Sequence, residues 1–187
     1  MITGIILAGG KSTRMGKDKG LIAINKKPMI QHVIDAITPF VSSIIIISNN
    51  SAYKRFGFKV YSDLLKNKGP VGGIYTALSI SNTEKNLIVS CDTPFISSDL
   101  LTILKNKRNN CDIIIPKYNN KIHPLIGIYS KKNTDYFKQS IINNQLKLIE
   151  LILKLNHLII NIDKDKVNKL NFTNINSKID LNKINDN

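Results

Sequence analysis

The chain has 187 residues, with 27 Lys+Arg against 13 Asp+Glu and a formal charge of +14. Its 42% hydrophobic content is too high for a disordered chain, and the length favours one domain, residues 1–187, with a real core. No apolar run reaches the roughly 20 residues that span a bilayer, and two cysteines, Cys91 and Cys111, make neither a disulfide scaffold nor a zinc quartet. Residues 2–8 form an apolar run ending in Gly9-Gly10. Lacking a basic n-region, the run reads as a buried strand rather than a signal peptide, and the protein as cytoplasmic. Residues 28–38 fit a helix, with Pro28 early and Ile30, Val33, Ile34 and Ile37 at helical spacing. Residues 44–47, four isoleucines, predict a strand covered on both faces, and residues 58–61 a short one. Gly and Pro punctuate residues 66–73, which predicts a loop followed by a helix over 74–80. Residues 87–90 read as a strand stopping at Cys91-Asp92-Thr93-Pro94, after which Ser97 or Ser98 can cap a helix carrying Leu100, Leu101 and Leu104. Strands are expected over 113–115 and 126–129, and helices over 135–142 and 146–155. From about Asp163 the chain turns Asn-, Lys- and Asp-rich, and its end at 182–187 is expected to fray. The alternation predicts an α/β fold, Rossmann-like and three-layered around a mostly parallel sheet.

The positive charge is mostly lysine; the arginines are Arg14, Arg55 and Arg108. Specific nucleic-acid readers favour arginine and aromatics, yet aromatics are 6% here and tryptophan is absent. The charge reads as a solvated lysine surface, with neither a nucleic acid nor a membrane as partner. A basic RNA-binding module is the competing reading, and it requires steep salt dependence with no need for Mg²⁺.

The strongest local signal is Leu7-Ala8-Gly9-Gly10-Lys11-Ser12-Thr13-Arg14-Met15-Gly16-Lys17-Asp18-Lys19. Two glycines at a strand end let backbone amides approach a ligand closely. Lys11, Arg14, Lys17 and Lys19 supply cations suited to a polyphosphate, at the sheet edge where α/β folds bind ligands. The segment matches neither G-x-x-x-x-G-K-[ST] nor G-x-G-x-x-G. Its plain alternative is a lysine-rich surface loop. A second constellation is Asp92, set at a strand end that faces the same sheet edge. Its carboxylate can hold Mg²⁺ by one oxygen, with phosphates and water completing the octahedron, or simply cap backbone amides in a turn. Cys91 lacks a partner base and reads as a small strand residue. His32 and His157 read as structural.

The signature segment resembles that of sugar-nucleotide-type nucleotidyltransferases, and its R-M-G-x-D-K ending resembles the branch of molybdenum cofactor guanylyltransferases. That family transfers GMP from GTP to molybdopterin and releases pyrophosphate. Further likenesses follow in order along the chain. Cys91-Asp92-Thr93-Pro94-Phe95 resembles the family's C-D-x-P-[FY] element, which implies that Asp92 holds the metal. Asp63 and Gly69-Pro70-Val71-Gly72-Gly73 resemble its guanine-recognition region, with Val71 in place of the commoner leucine. Asn49 or Asn50 resembles a nucleotide-contacting asparagine. His123-Pro124-Leu125 resembles an element on the molybdopterin side, where His123 either binds the pterin phosphate or packs. The run from Phe172 through Asn174, Asn176 and Ser177 to Asp180-Leu181 resembles the family's ending, with Ser177 as an N-cap.

The resemblance implies catalytic roles for Arg14, Lys19 and Asp92. It implies GTP contacts from Leu7, Ala8, Gly9, Gly10, Lys19, Asn49, Asp63, Gly69, Gly72 and Asp92. Asn174 and Asn176 fall with His123 on the molybdopterin side, and Mg²⁺ on Asp92 is the expected cofactor. Molybdenum-insertion and molybdoenzyme-maturation proteins are the expected partners. The alternatives are CTP in place of GTP, another phosphorylated acceptor such as a cobinamide, or a non-catalytic nucleotide-binding protein.

Overall fold

Isoleucine-rich strands buried on both faces form the middle layer of the molecule. The computed structural model describes residues 1–9, 18–107, 110–175 and 180. The chain opens with β1 (Ile2–Leu7), a small hairpin of β2 (Ala23–Ile24) and β3 (Lys27–Pro28), then α1 (Met29–Ile37). β4 (Ser43–Ile47), β5 (Lys59–Tyr61), α2 (Gly69–Ile80), β6 (Lys85–Ser90) and α3 (Ser98–Asn106) follow. The second half contains β7 (Ile113–Tyr118), β8 (Lys121–Ile122), β9 (Ile126–Ser130), α4 (Thr134–Ile142), α5 (Leu148–Ile152) and β10 (His157–Asn161).

The main sheet runs β10-β7-β9-β6-β1-β4-β5, with β8 paired to β7. β1 lies parallel to both β4 and β6, while β9 runs antiparallel between β6 and β7. Period-2 alternation divides the apolar residues between two cores. Ile6, Ile44 and Ile46 face α1 and α3, packing with Val33, Ile37, Leu100 and Leu104. Ile5, Leu7, Ile45 and Ile47 face the other way, against Val71 and Ile74 of α2, Phe137 of α4 and Leu151 of α5. The fold is a three-layer α/β sandwich. Among the described residues no helix is long and apolar enough to cross a membrane.

Three local outcomes differ from the pattern reading. α2 begins at Gly69, inside the segment expected to be a loop. Gly69 supplies a left-handed turn at φ +57° and Pro70 suits the first turn of a helix, so the breakers act here as a start signal. α5 covers Leu148–Ile152 rather than 146–155: it has no side-chain N-cap, and Lys154 and Leu155 donate to carbonyls three residues back, tightening its end. The Asn-rich tail is also better anchored than its composition suggests, since Val167, Phe172 and Ile175 are buried. Ser97 rather than Ser98 caps α3, its Oγ accepting from Leu100 N at 3.4 Å.

The chain leaves β1 for β4 and β5 on one side, then crosses to β6 on the other. The carboxyl end of β1 is therefore a topological switch point, where an open α/β sheet leaves a crevice.

Candidate active site

Backbone hydrogen bonds continue past the strand ends and fix the tips against one another. Ala8 N donates to Ile47 O at 2.9 Å, Cys91 N to Leu7 O at 3.0 Å, and Ser48 N to Tyr61 O at 2.8 Å. Above these tips opens a cleft of about 780 Å³. Leu7, Ala8 and Gly9 form its floor. Asn49, Asn50 and Asp63 stand on one side, and Ser90, Asp92 and Leu125 on the other. Asn67, Gly69, Pro70 and Gly73 close one end, at the start of α2.

Asp92 is held by its main chain. Ile175 N donates to its carbonyl at 2.9 Å, and the turn is closed by Thr93 Oγ1 donating to Ser90 O at 2.9 Å. Its Oδ1 is buried with no hydrogen-bond partner among the described residues. A buried carboxylate oxygen without a donor is costly and calls for a cation. Among the described residues no group of three or more His, Cys, Asp or Glu could hold a metal. One carboxylate at an open cleft is a donor set compatible with Mg²⁺, which keeps waters and takes phosphate oxygens as further ligands.

On the opposite wall, Asn49 and Asp63 grip each other twice. Asn49 Nδ2 donates to Asp63 Oδ2 at 3.1 Å, and Asp63 N donates to Asn49 Oδ1 at 3.1 Å. Burial pushes the Asp63 carboxyl up from its ordinary value, and the Asn49 amide opposes that shift. The neighbouring Asn50 turns to Asp18 instead, donating from Nδ2 at 3.1 Å. Both asparagines face the cleft, each bonded to a different carboxylate.

Lys19 opens a 3-10 turn, Lys19–Leu21, next to the cleft residue Asp18. Lys19, Asp18 and Asp92 all act electrostatically on Cys91, which ties the signature segment and the metal candidate to one neighbourhood. Burial, then Asp92 and Asp18, push the Cys91 thiol well above its ordinary value, so it stays protonated and is no nucleophile.

The structure thus brings together Leu7, Ala8, Gly9, Asn49, Asp63, Gly69 and Asp92 around one cleft. Lys19 stands beside the cleft without lining it, and Gly72 is a second exception. It is buried in α2 and does not line the cleft; a Cβ there would lie 2.9 Å from Lys68 Cβ, so it serves packing, and Gly73 takes the cleft position. Gly10, Lys11, Arg14, Lys17, Asn176, the Ser177 cap, Leu181 and the end at 182–187 lie outside the described residues.

Residues 4–154 match the family profile of the MobA-like NTP transferase domain. The chain belongs to this family. It is a nucleotidyltransferase, and its relatives cover its length. It is 44% identical over 185 residues to a probable molybdenum cofactor guanylyltransferase of Flavobacterium johnsoniae, covering 98% of this chain and 96% of that protein. A probable molybdenum cofactor guanylyltransferase of Clostridium perfringens is 38% identical over 150 residues, 80% of this chain and 76% of that one. The crystal structure of molybdopterin-guanine dinucleotide biosynthesis protein A from Archaeoglobus fulgidus superposes with a TM-score of 0.82. It covers 97% of this chain and 96% of its own at 24% identity, a likeness of fold.

His123 and Asn174, expected on the molybdopterin side, lie apart from the cleft lining. His123 is half-buried, its ring 4.6 Å from that of Phe172, which also stacks on Tyr118 at 4.7 Å. Asn174 is exposed, one residue from the Ile175 that holds Asp92. His32 and His157 satisfy backbone carbonyls of Ile24 and Leu155 at 3.0 and 2.9 Å.

Burial, then the Lys121 ammonium, push His123 down to about 4. The folded value lies below the unfolded one of about 6.5. The stability that goes with a neutral ring is therefore intact above about pH 6.5 and is lost as pH falls toward about 4. Urea unfolding across that range is expected to show a steeper acid loss in the wild type than in His123→Gln. Parallel curves would contradict a buried, neutral imidazole.

Sequence reasoning missed Asn67 and the side-chain role of Asp18, and within the glycine run it assigned the contact to Gly72 rather than Gly73. Asp18 lies between Lys17 and Lys19, where a lone carboxylate among cations carries no sequence signal of its own. Asn67 adopts φ +60° just before α2, and an asparagine in so Asn-rich a chain carries little signal.

Proposed function

We propose that the chain transfers GMP from GTP to molybdopterin, forming the guanine dinucleotide form of the cofactor and pyrophosphate. One observation carries this reading: a single switch-point cleft joins the Leu7–Gly9 segment, the Asn49–Asp63 pair and a buried Asp92 oxygen with no partner among the described residues. The names of the relatives support the same substrates.

A terminal phosphate oxygen of the acceptor attacks the α-phosphorus of GTP in line. A new P–O bond forms there as the bond to the β-phosphate oxygen breaks, and pyrophosphate leaves. The attacking phosphate is already anionic, so no strong general base is needed, and catalysis rests on positioning and charge stabilisation. Mg²⁺ held by Asp92 would polarise the α-phosphoryl oxygen. Lys19 and Arg14 hold the triphosphate, and the Leu7–Gly9 segment offers close backbone approach. The Asp63 carboxylate, oriented by Asn49, suits a base edge bearing N–H donors, and guanine offers N1–H and an amino group. His123, neutral at pH 7, contributes a ring hydrogen bond rather than a charge on the acceptor side. The cytoplasm, where GTP is supplied, and proteins of molybdenum insertion and molybdoenzyme maturation go with this reading.

The test is transfer to molybdopterin with GTP, CTP and ATP side by side, reading pyrophosphate and the dinucleotide. The expected result is turnover with GTP and little with the others. A preference for CTP, transfer only to a different phosphorylated acceptor, or GTP binding without pyrophosphate would each overturn it. Asp63→Ala is expected to raise KM for GTP about 10-fold or more with a smaller change in kcat, the cost of one hydrogen bond to a charged group. Unchanged GTP affinity would count against its place in the base pocket.

A further inference from the structure

Asp18 faces the cleft, yet both of its carboxylate oxygens are engaged by protein. Oδ1 accepts from the Tyr53 hydroxyl, and Oδ2 accepts from Asn50 Nδ2 at 3.1 Å. Its role is therefore internal. Tyr53 is fully buried, on the 3-10 turn Ser51–Phe56 that follows β4. Burial keeps its hydroxyl protonated and so a donor to Asp18, while the Gly20 main chain lies close against the same oxygen. A Cβ on Gly20 would stand 2.5 Å from the Tyr53 hydroxyl and 3.1 Å from its ring, so only glycine lets the main chain come this close.

Asn50 is equally fixed. It is the N-cap of that turn: its Oδ1 accepts from Ala52 N at 3.0 Å, and its own N donates to Ser48 Oγ at 3.2 Å. One phenol thus touches the residue before Lys19 and the residue after it, and one amide braces the first of these. Lysine is a flexible stem whose charge must be aimed. Fixing the backbone on both sides removes part of the ordering cost when a triphosphate binds.

We propose that Tyr53, braced with Asn50 through Asp18, is a positioning residue that fixes the Asp18–Gly20 backbone and so aims Lys19 at the nucleotide phosphates. This rests on the nucleotidyltransferase reading and adds to it a residue that never meets the substrate.

The test couples Tyr53 to Lys19 in the full chain. Calorimetry gives the affinity for Mg·GTP, and transfer is measured separately. Tyr53→Phe keeps the ring and removes only the hydroxyl. It is expected to weaken Mg·GTP binding roughly 10-fold in the wild-type background. In a Lys19→Ala background the same change should cost little, because the group it aims is gone. Hydrogen-bond complementarity supplies a rescue. Asp18→Asn sets two amide donors against each other and is expected to weaken binding; adding Asn50→Asp restores an acceptor, keeps the net charge, and should recover most of the loss.

An equal cost of Tyr53→Phe in both backgrounds means a general structural role and overturns the proposal, as does wild-type affinity in Tyr53→Phe. Failure of the Asn50→Asp rescue overturns the bracing through Asp18. Absence of transfer by the wild type contradicts the proposed function instead, and the binding measurements still decide the positioning role.

Discussion

Asp92→Ala is expected to lower GMP transfer about 100- to 1,000-fold while leaving the fold intact. The main chain at this position is held independently of the side chain, by Ile175 N on its carbonyl and by the Thr93–Ser90 turn. The carboxylate itself contributes nothing of the kind, since Oδ1 is buried without a hydrogen-bond partner among the described residues. Removing an unsatisfied buried oxygen relieves its desolvation cost. The thermal midpoint of the ligand-free variant should therefore equal or exceed that of the wild type. On this reading the position trades stability for function. Steady-state transfer and a melting curve check both halves. Near wild-type turnover at saturating Mg²⁺ removes the metal role, and a large drop in midpoint would mean that Asp92 is structural.

Lys19→Ala is the second large effect, an expected rise in KM for GTP of about 10- to 100-fold. Lys19 opens a 3-10 turn beside the cleft, and its N-terminal neighbour Asp18 is held by Asn50 and Tyr53. An ammonium in that position supplies charge-assisted hydrogen bonds to phosphate oxygens, and no other described side chain stands at the same point of the motif. Lys19→Arg should recover only part of the loss, because a planar fork does not replace a compact point charge on a backbone already fixed in place. Initial-rate kinetics with GTP varied at saturating acceptor provide the check. An unchanged KM would mean that the triphosphate lies elsewhere.

Strand-by-strand, the fold was readable wherever burial on both faces imposes an unbroken apolar run, as at Ile44–Ile47. Direction was not readable. The residues of β9 look like those of the parallel strands, but its antiparallel course between β6 and β7 is set by tertiary pairing. Turn chemistry was hidden by composition. Asn25, Lys26, Asn119 and Asn120 all have positive φ and turn the β2–β3 and β7–β8 hairpins, as two-residue hairpin loops require, but asparagine is too common in this chain to stand out.

The site divides in the same way. Gly9, Asp63 and Asp92 sit at strand ends inside recognisable motifs and were legible from order along the chain. Gly72 and Gly73 differ by one helical position of about 100°, which decides packing against cleft and which a motif alone does not resolve. Tyr53 was beyond reach because its partner Asp18 lies 35 residues away, in a contact that only the folded sheet creates.

The central claim is that the glycine segment after β1 and the carboxylate after β6 hold one Mg²⁺-bound triphosphate between them. A crystal structure with Mn²⁺ and a non-hydrolysable GTP analogue tests it most directly, because the manganese is located by its own anomalous signal. The account predicts a peak against Asp92 Oδ1, with the phosphates over Leu7–Gly9 and the base beside Asp63. A nucleotide bound outside this cleft, or a metal with no Asp92 ligand, would contradict it.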